Sequence, residues 1–392
     1  MPSTVIFGAA RTPMGGFQGS LSAKSATEMG GIAIKGALDG AGIQPDSVDG
    51  VFMGNVLSAG LGQAPARQAG FKAGLGEQTP ATTISKVCGS GMQAVVFAHD
   101  QISLERMKIV VAGGMESMTN APYLLPKMRG GARLGHTAAI DHMFFDGLED
   151  AYDQGRLMGS FAEDCATDYQ FTRNAQDDYA LASLQRALDA QKSGAFKNET
   201  VGITIKSRKG EIRVEADEQP AKASPEKIPT LKPAFQENGT VTAANASSIS
   251  DGGAALILGD EAEAERLGVA VRARVLGYAT HAQTPSHFPT APIPAAKKLL
   301  DQLGWQASDV DLWEVNEAFA LVPMAFMKEL DIPHEKMNLH GGACALGHPI
   351  GASGARILVT LLNAMELHGL QRGIAAICIG GGEGLSVAIE RS

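Results

Sequence analysis

The stretch Lys86-Val87-Cys88-Gly89-Ser90-Gly91-Met92-Gln93-Ala94 decides how this chain is read. Ahead of it, Ala81 to Val87 reads as a strand. Behind it, Ser90 to about Arg106 reads as a helix, with glycines where the backbone must bend and admit something close. A cysteine delivered by a strand to the first turn of a helix meets unpaired N–H groups and the positive end of the helix dipole. The sequence therefore predicts a sulfur held toward its thiolate form, which makes it a nucleophile near neutral pH.

Working outward, Thr4 to Gly8 is the short apolar run of a buried strand. Ala26 to Ala41 has Met29, Ile32, Ala33 and Leu38 at helical spacing, and Val48 to Asn55 reads as a strand with a loop. Lys108 to Ala112 is a further strand, ending in Gly113-Gly114-Met115-Glu116-Ser117. Strands and helices alternating at these lengths predict an α/β fold with a mostly parallel sheet covered on both faces. From Thr119 to about Ala246 the chain turns loop-rich and polar, with one helix over 174–192 and two short strands over 201–205 and 211–214. This reads as an insertion, after which Ala254 to Leu258 resumes the earlier pattern.

The second half repeats the first. Val48-Asp49-Gly50-Val51 matches Val310-Asp311-Leu312-Trp313 at an offset of 262, and Ser90-Gly91 matches Ser353-Gly354 at 263. Glu116, closing a Gly-Gly-Met-Glu run, parallels Glu383 after Gly380-Gly381-Gly382 at 267. Near-constant offsets in one order indicate a duplicated strand-helix unit. Three regions follow: a core half over 1–118 plus 247–268, an inserted loop domain over 119–246, and a second core half over 269–392.

Composition narrows the class. A 392-residue chain with 44% hydrophobic and 19% charged residues has an ordinary globular balance, with no apolar run of ~18–20 residues and no basic segment leading an apolar one at the start. A cytoplasmic protein with no membrane partner is expected. Four cysteines (Cys88, Cys165, Cys344, Cys378) without Cys-x-x-Cys spacing predict free thiols rather than disulfides or a zinc site, and no metal. A net charge of −9 with a pI near 5.5 leaves no basic stripe for nucleic acid.

Further stretches fall at corresponding strand ends or helix starts. Asn316-Glu317-Ala318-Phe319 follows a strand. His348 stands between glycine and proline in a loop opening a helix, where acid/base groups commonly lie. Cys378 ends an apolar run and precedes Gly380-Gly381-Gly382, whose N–H groups are uncrowded enough to form a donor nest for an oxyanion. Cys165 and Cys344 read as structural, and Met115, Met118 and Met128 as apolar filler.

Taken together these blocks resemble the thiolase superfamily: Val87-Cys88-Gly89-Ser90-Gly91-Met92, Asn316-Glu317-Ala318-Phe319, Gly347-His348-Pro349-Ile350-Gly351-Ala352-Ser353-Gly354 and Cys378-Ile379-Gly380-Gly381-Gly382-Glu383-Gly384, with the likeness running from Ala10-Arg11-Thr12-Pro13 to the end. The resemblance implies duplicated βαβαβαββ halves forming a five-layered αβαβα core. It implies Cys88 as the acylated nucleophile, His348 as its base and Cys378 as the acid/base for the α-proton. Asn316, holding a water, and His348 would form one oxyanion site, and the N–H groups of Cys88 and Gly380 the other. The reaction implied is reversible condensation of two acetyl-CoA to acetoacetyl-CoA and CoA, within fatty acid metabolism, with CoA thioesters as substrates and no cofactor. A degradative 3-ketoacyl-CoA thiolase with a longer acyl pocket and a catalytically silent CoA-binding protein are the alternatives. A homotetramer, as a dimer of dimers, is also implied.

In the family the insertion covers CoA, and Leu148, Met158, Phe235, Ala246, Ser247, Ala318 and Phe319 fall at matching positions. Leu157 replaces a pocket histidine, and Phe288 a common methionine. Ser85 and Ser250 also depart from the usual pattern. Between Lys197 and Lys232 eight Lys/Arg face six Asp/Glu, a faint excess for phosphates. Ala221 stands where biosynthetic relatives often carry arginine, with Lys222 as the candidate substitute.

Overall fold

The computed structural model describes residues 3–207 and 210–391. Ten strands, one of them the two-residue Gly15–Gly16, form a continuous sheet whose nine longer strands divide into two sub-sheets. The first contains β1 (Thr4–Arg11), β2 (Gly50–Gly54), β3 (Ala81–Ile84), β4 (Ile109–Ser117) and β5 (Ser250–Asp260) in the order β3-β2-β4-β5-β1. The second contains β6 (Ala273–Ala282), β7 (Leu312–Val315), β8 (Arg372–Ile379) and β9 (Glu383–Glu390) in the order β7-β8-β9-β6. The sheets meet edge to edge at two residue pairs, Val5 with Arg274 and Ile6 with Ala273.

Helices α1 (Ala26–Ala41), α2 (Ser90–Ser103), α3 (Pro292–Leu303) and α4 (Ile350–His368) complete the layers. α2 and α4 pack on each other between the sheets, while α1 covers the outer face of the first sheet and α3 that of the second. The result is five layers, αβαβα. Every residue of α4 from Ile350 to Met365 is buried. The sequence reading found no apolar run of membrane length, whereas α4 is long and apolar enough by length and composition; 89% of that window is buried in the protein, as in a central core helix. The two helices touch backbone to backbone. A Cβ on Gly91 would stand 2.8 Å from the Ala355 nitrogen, and one on Gly354 2.5 Å from that of Met92.

The sheets are mixed rather than mostly parallel. Only β2 with its neighbours and β7 with β8 run parallel. The turn Gly380–Gly382, with φ of 92° and 89° at Gly381 and Gly382, folds β9 back antiparallel on β8, and β5 returns from the insertion antiparallel to both β1 and β4. Helix-strand alternation in the sequence carries no sign of these reversals.

The duplication is visible atom by atom. Asp49 Oδ2 accepts the N–H groups of Lys108 and Ile109 at 2.7 and 3.0 Å. Asp311 Oδ2 accepts those of Gln371 and Arg372, both at 2.9 Å. Ser90 Oγ donates to the Val87 carbonyl at 2.6 Å and Ser353 Oγ to that of Pro349 at 2.9 Å, each tying off its helix start. The β3 counterpart shrinks to one parallel bridge, Trp313 with Met337. The Glu116–Glu383 match does not hold. At the offset of 263 Glu116 falls on Ile379, inside β8, whereas Glu383 opens β9 after the glycine turn.

The stretch between β4 and β5 holds helices Met158–Tyr169 and Arg173–Ser193 and a hairpin pairing Ile203–Ser207 with Gly210–Val214. Buried Arg11 anchors it to the core, donating to Glu199 at 2.5 Å and Asp217 at 2.6 Å. A charge taken out of water is tolerated there because both carboxylates compensate it.

Candidate active site

After β3 ends at Ile84 the chain tightens. Gly89 N–H donates to the Lys86 carbonyl at 3.0 Å, Ser90 N–H to that of Val87 at 3.1 Å, and Val87 itself sits at φ 45°. A β-branched residue in the left-handed region costs on the order of 1–3 kcal/mol and persists only where its surroundings over-determine it. This is why the strand stops short of Val87. The turn sets the half-buried Cys88 thiol on the wall of a cavity of about 380 Å³. Its own N–H and that of Gly380 both point at the sulfur. Burial nevertheless pushes the thiol up to about 11, with Glu116 adding in the same direction. The expected thiolate is therefore corrected: at neutral pH the resting group is a thiol, since desolvation of the anion outweighs the two N–H donors.

His348 lies on the same cavity. Its loop turns at Gly347, at φ 103°, where any Cβ would strike Ser250 Oγ. The His348 N–H donates to the Ser248 carbonyl at 3.1 Å. Nδ1 lies 2.5 Å from Ser353 Oγ, whose own hydrogen goes to the Pro349 carbonyl. Ser353 thus offers a lone pair to Nδ1, which assigns the proton to Nδ1 and leaves Nε2 bare. Nε2 is buried and has no hydrogen-bond partner among the described residues. Burial first, then Arg356, lowers the imidazole to about 3, so it is neutral at physiological pH. A neutral imidazole with a free lone pair is a base.

Cys378, near the end of β8, is completely buried. Burial and then the neighbouring Cys88 hold its thiol well above the ordinary range. Asn316 is also completely buried, its N–H donating to the Ala376 carbonyl at 2.9 Å, while both polar atoms of its side chain are unpartnered among the described residues. Next to it Glu317 is saturated, accepting from Tyr179, Ser183, Asn338 and the Cys344 N–H at 2.7–3.1 Å. Cys378 and Asn316 do not line the cavity.

All nine residues read as CoA or acyl contacts line it: Leu148, Leu157, Met158, Phe235, Ala246, Ser247, Phe288, Ala318 and Phe319. One wall is a backbone pairing, Ser247 N–H to the Ala318 carbonyl at 2.9 Å and Ala320 N–H to that of Asn245 at 2.7 Å. Phe288 meets Phe161 and Phe319 edge-on, both at 6.4 Å, which makes that end aromatic and dry. Phe144, Ile249 and Ile350 add to the lining; Ile350 lies in the His348 block, while Phe144 and Ile249 carry no motif that would have marked them. A second cavity of about 310 Å³ shares Ala243 and Ser248 with the first and includes Lys222 and Lys227. Lys222 pairs with Glu218. Arg208 and Lys209, part of the faint basic excess, lie outside the described residues.

Cys344 lines this second cavity, and Cys165 is core. Met115 and Met118 are buried, while Met128 is half exposed. Two residues of the site went unassigned in the sequence. Ser353 is marked by its repeat offset and by its place in the His348 block, with no role attached. Glu116 is fully buried and accepts from the Asn55 side chain at 2.7 Å and from the N–H groups of Val56, Leu57 and Gly351 at 2.9–3.1 Å. Among the described residues no group of three His, Cys, Asp or Glu side chains is placed to hold a metal ion.

A cysteine and a neutral histidine share one cavity with a backbone donor pair aimed at sulfur, and comparison with known proteins gives this arrangement a lineage. The model of the thiolase N-terminal domain matches residues 4–262 and that of the thiolase C-terminal domain residues 269–391. The Dictyostelium discoideum protein named "Probable acetyl-CoA acetyltransferase" is 50% identical over 392 residues, covering all of this chain and 94% of its own. The crystal structure of an acetyl-CoA acetyltransferase from Bacillus anthracis superposes with a TM-score of 0.96 at 40% identity, covering 100% of this chain and 99% of that one. A thiolase from Ascaris suum, solved in complex with coenzyme A, gives 0.94 at 40% identity with both chains fully covered. On its sequence and its fold, this chain belongs to the thiolase family.

Proposed function

We propose that the protein is an acetyl-CoA acetyltransferase, joining two acetyl-CoA into acetoacetyl-CoA and CoA or running the reverse. The observation that carries this reading is the meeting of the Cys88 thiol, the bare Nε2 of neutral His348 and the Gly380 N–H on one apolar cavity. Its proton balance closes with the groups present. His348 Nε2 takes the Cys88 proton as sulfur attacks the thioester carbonyl, and the oxyanion is held by the N–H groups of Cys88 and Gly380. The carbon–sulfur bond to CoA breaks, and the departing thiolate takes the Cys378 proton.

Cys378, now anionic, removes an α-proton from the second acetyl-CoA. The enolate oxygen accepts from His348 Nε2–H and from a water on Asn316, whose buried and unpartnered amide supports that role, since an unsatisfied buried polar group costs about 1–3 kcal/mol. The enolate carbon attacks the acetyl group, and Cys88 leaves and recovers its proton from His348. Burial keeps both thiols protonated at rest, so charge appears only as substrate arrives.

The apolar lining, with Leu157 and Phe288, is what favours the second reading, a degradative thiolase for longer acyl chains. Comparing kcat/KM for acetoacetyl-CoA and a medium-chain 3-ketoacyl-CoA separates them. A preference for acetoacetyl-CoA is expected, and one of about tenfold or more for the longer chain would overturn the specificity. Cys378→Ser should still acylate yet lose condensation by about two orders of magnitude or more. Condensation at the wild-type rate would remove Cys378 from proton transfer.

Other parts of the reading extend the same proposal. The second cavity, with Lys222 and Lys227, suits the phosphorylated end of CoA, and no cofactor is required. Four free cysteines support a reducing, cytoplasmic setting. Exposed Tyr123, Leu125, Met128 and Leu134 on one segment support burial between subunits in a homotetramer, which light scattering would report as four times 40.8 kDa.

A further inference from the structure

Glu383 has no part in the proton transfers, yet it reaches from the second half of the molecule to the loop that carries the nucleophile in the first. Its carboxylate pairs with Lys86 Nζ. Lys86 stands two residues before Cys88, next to the strained Val87, and its carbonyl and N–H are both used within the turn, by Gly89 N–H at 3.0 Å and Ser90 Oγ at 2.8 Å. Glu383 stands three residues after Gly380, at the far end of the turn whose two left-handed glycines have no side chains to fix them. One ion pair therefore ties together the two loops that supply the N–H groups aimed at the Cys88 sulfur.

The loops are also packed directly, since a Cβ on Gly89 would stand 2.5 Å from Ile379 Cδ1. Across the halves the glycine turn also meets the first half through the Gly380 N–H at the Cys88 sulfur and through Val87, whose Cγ1 would stand 3.6 Å from a Cβ on Gly380. Gly382 gives its carbonyl to Gln283 N–H at 2.8 Å, within the second half. The pair is partly shielded, with side-chain exposures of 22% for Lys86 and 37% for Glu383. Ion pairs this exposed contribute little to stability, so holding geometry is the better account of its place.

We infer that Lys86 and Glu383 are positioning residues, a clamp across the two halves that keeps the Gly380 N–H in register with the Cys88 N–H for the oxyanion of acyl transfer. The inference rests on the thiolase reading. Misplacing one donor by about 1 Å costs up to about a hundredfold in rate while leaving substrate binding nearly untouched.

The test uses the full-length enzyme with Lys86→Met, Glu383→Gln, the double variant, and the swap Lys86→Glu with Glu383→Lys. Rapid-quench mass spectrometry follows acetyl transfer from acetyl-CoA to Cys88, beside kcat, KM and the thermal midpoint. Each single variant should acylate about tenfold more slowly or worse, with KM within about twofold and an unchanged melting temperature. The double variant should be no worse than either single, and the swap should recover most of the loss; a merely structural pair would instead lower the thermal midpoint along with the rate. Acylation within about twofold of wild type in both single variants would overturn the clamp. A wild-type enzyme that takes up no acetyl group would overturn the thiolase reading, and the clamp with it.

Discussion

Cys88 shows how much chemistry one residue carries in its sequence context and how much it does not. The strand-to-helix turn, the flanking glycines and the separate His348, Cys378 and Asn316 motifs made a candidate set legible, of which the structure brings Cys88 and His348 to one cavity and leaves Cys378 and Asn316 off its lining. The ionisation state was not legible. Local reasoning gives the sulfur a helix N-terminus, while the folded molecule gives it burial and Glu116, and burial wins. The sign is clear: a thiol raised above its ordinary 9.0 is neutral at pH 7, and its thiolate fraction grows as pH rises through about 11. Iodoacetamide modification of Cys88 in the free enzyme should therefore still be accelerating at pH 9. A plateau by pH 7 would show that the two N–H donors prevail.

At the scale of elements, α1 was predicted at its observed limits because its apolar spacing is a local feature, and the structure adds a capping box on Ser25 and Glu28 that fixes its start. Strand direction was not, since whether a strand runs parallel depends on where the chain returns. The Gly380–Gly382 turn and the long excursion before β5 decide that without leaving a period in the sequence. The repeat was readable wherever each copy needs the same bond. Asp49 and Asp311 each satisfy two N–H groups at the start of β4 and β8. Replacing either by Ala should lower stability by a similar amount, about 1 kcal/mol, measured by denaturant unfolding. A loss at only one of the two would mean the copies no longer share this support. The Glu116–Glu383 parallel failed because a glycine turn shifted the register by four residues. What a matched letter does must be checked against the bond it makes.

At the scale of the molecule, two halves back to back put α2 and α4 in contact, and the loops at their starts carry Cys88 and His348 to the same cavity. That convergence was anticipated from the duplication and the family resemblance. The exact lining was not, because Phe144 and Ile249 are ordinary apolar residues that acquire meaning only by position. The insertion matters for the same reason: Leu148, Leu157, Met158 and Phe235 come from it, and Arg11 with Glu199 and Asp217 holds it over the core. The account as a whole turns on acyl transfer to Cys88. Exposure of the enzyme to acetyl-CoA, acid quenching and peptide mass spectrometry should find one acetyl group on Cys88, discharged when CoA is added and absent from Cys88→Ala. An unmodified Cys88, or an acetyl group on another residue that turns over in the Cys88→Ala variant, would contradict it.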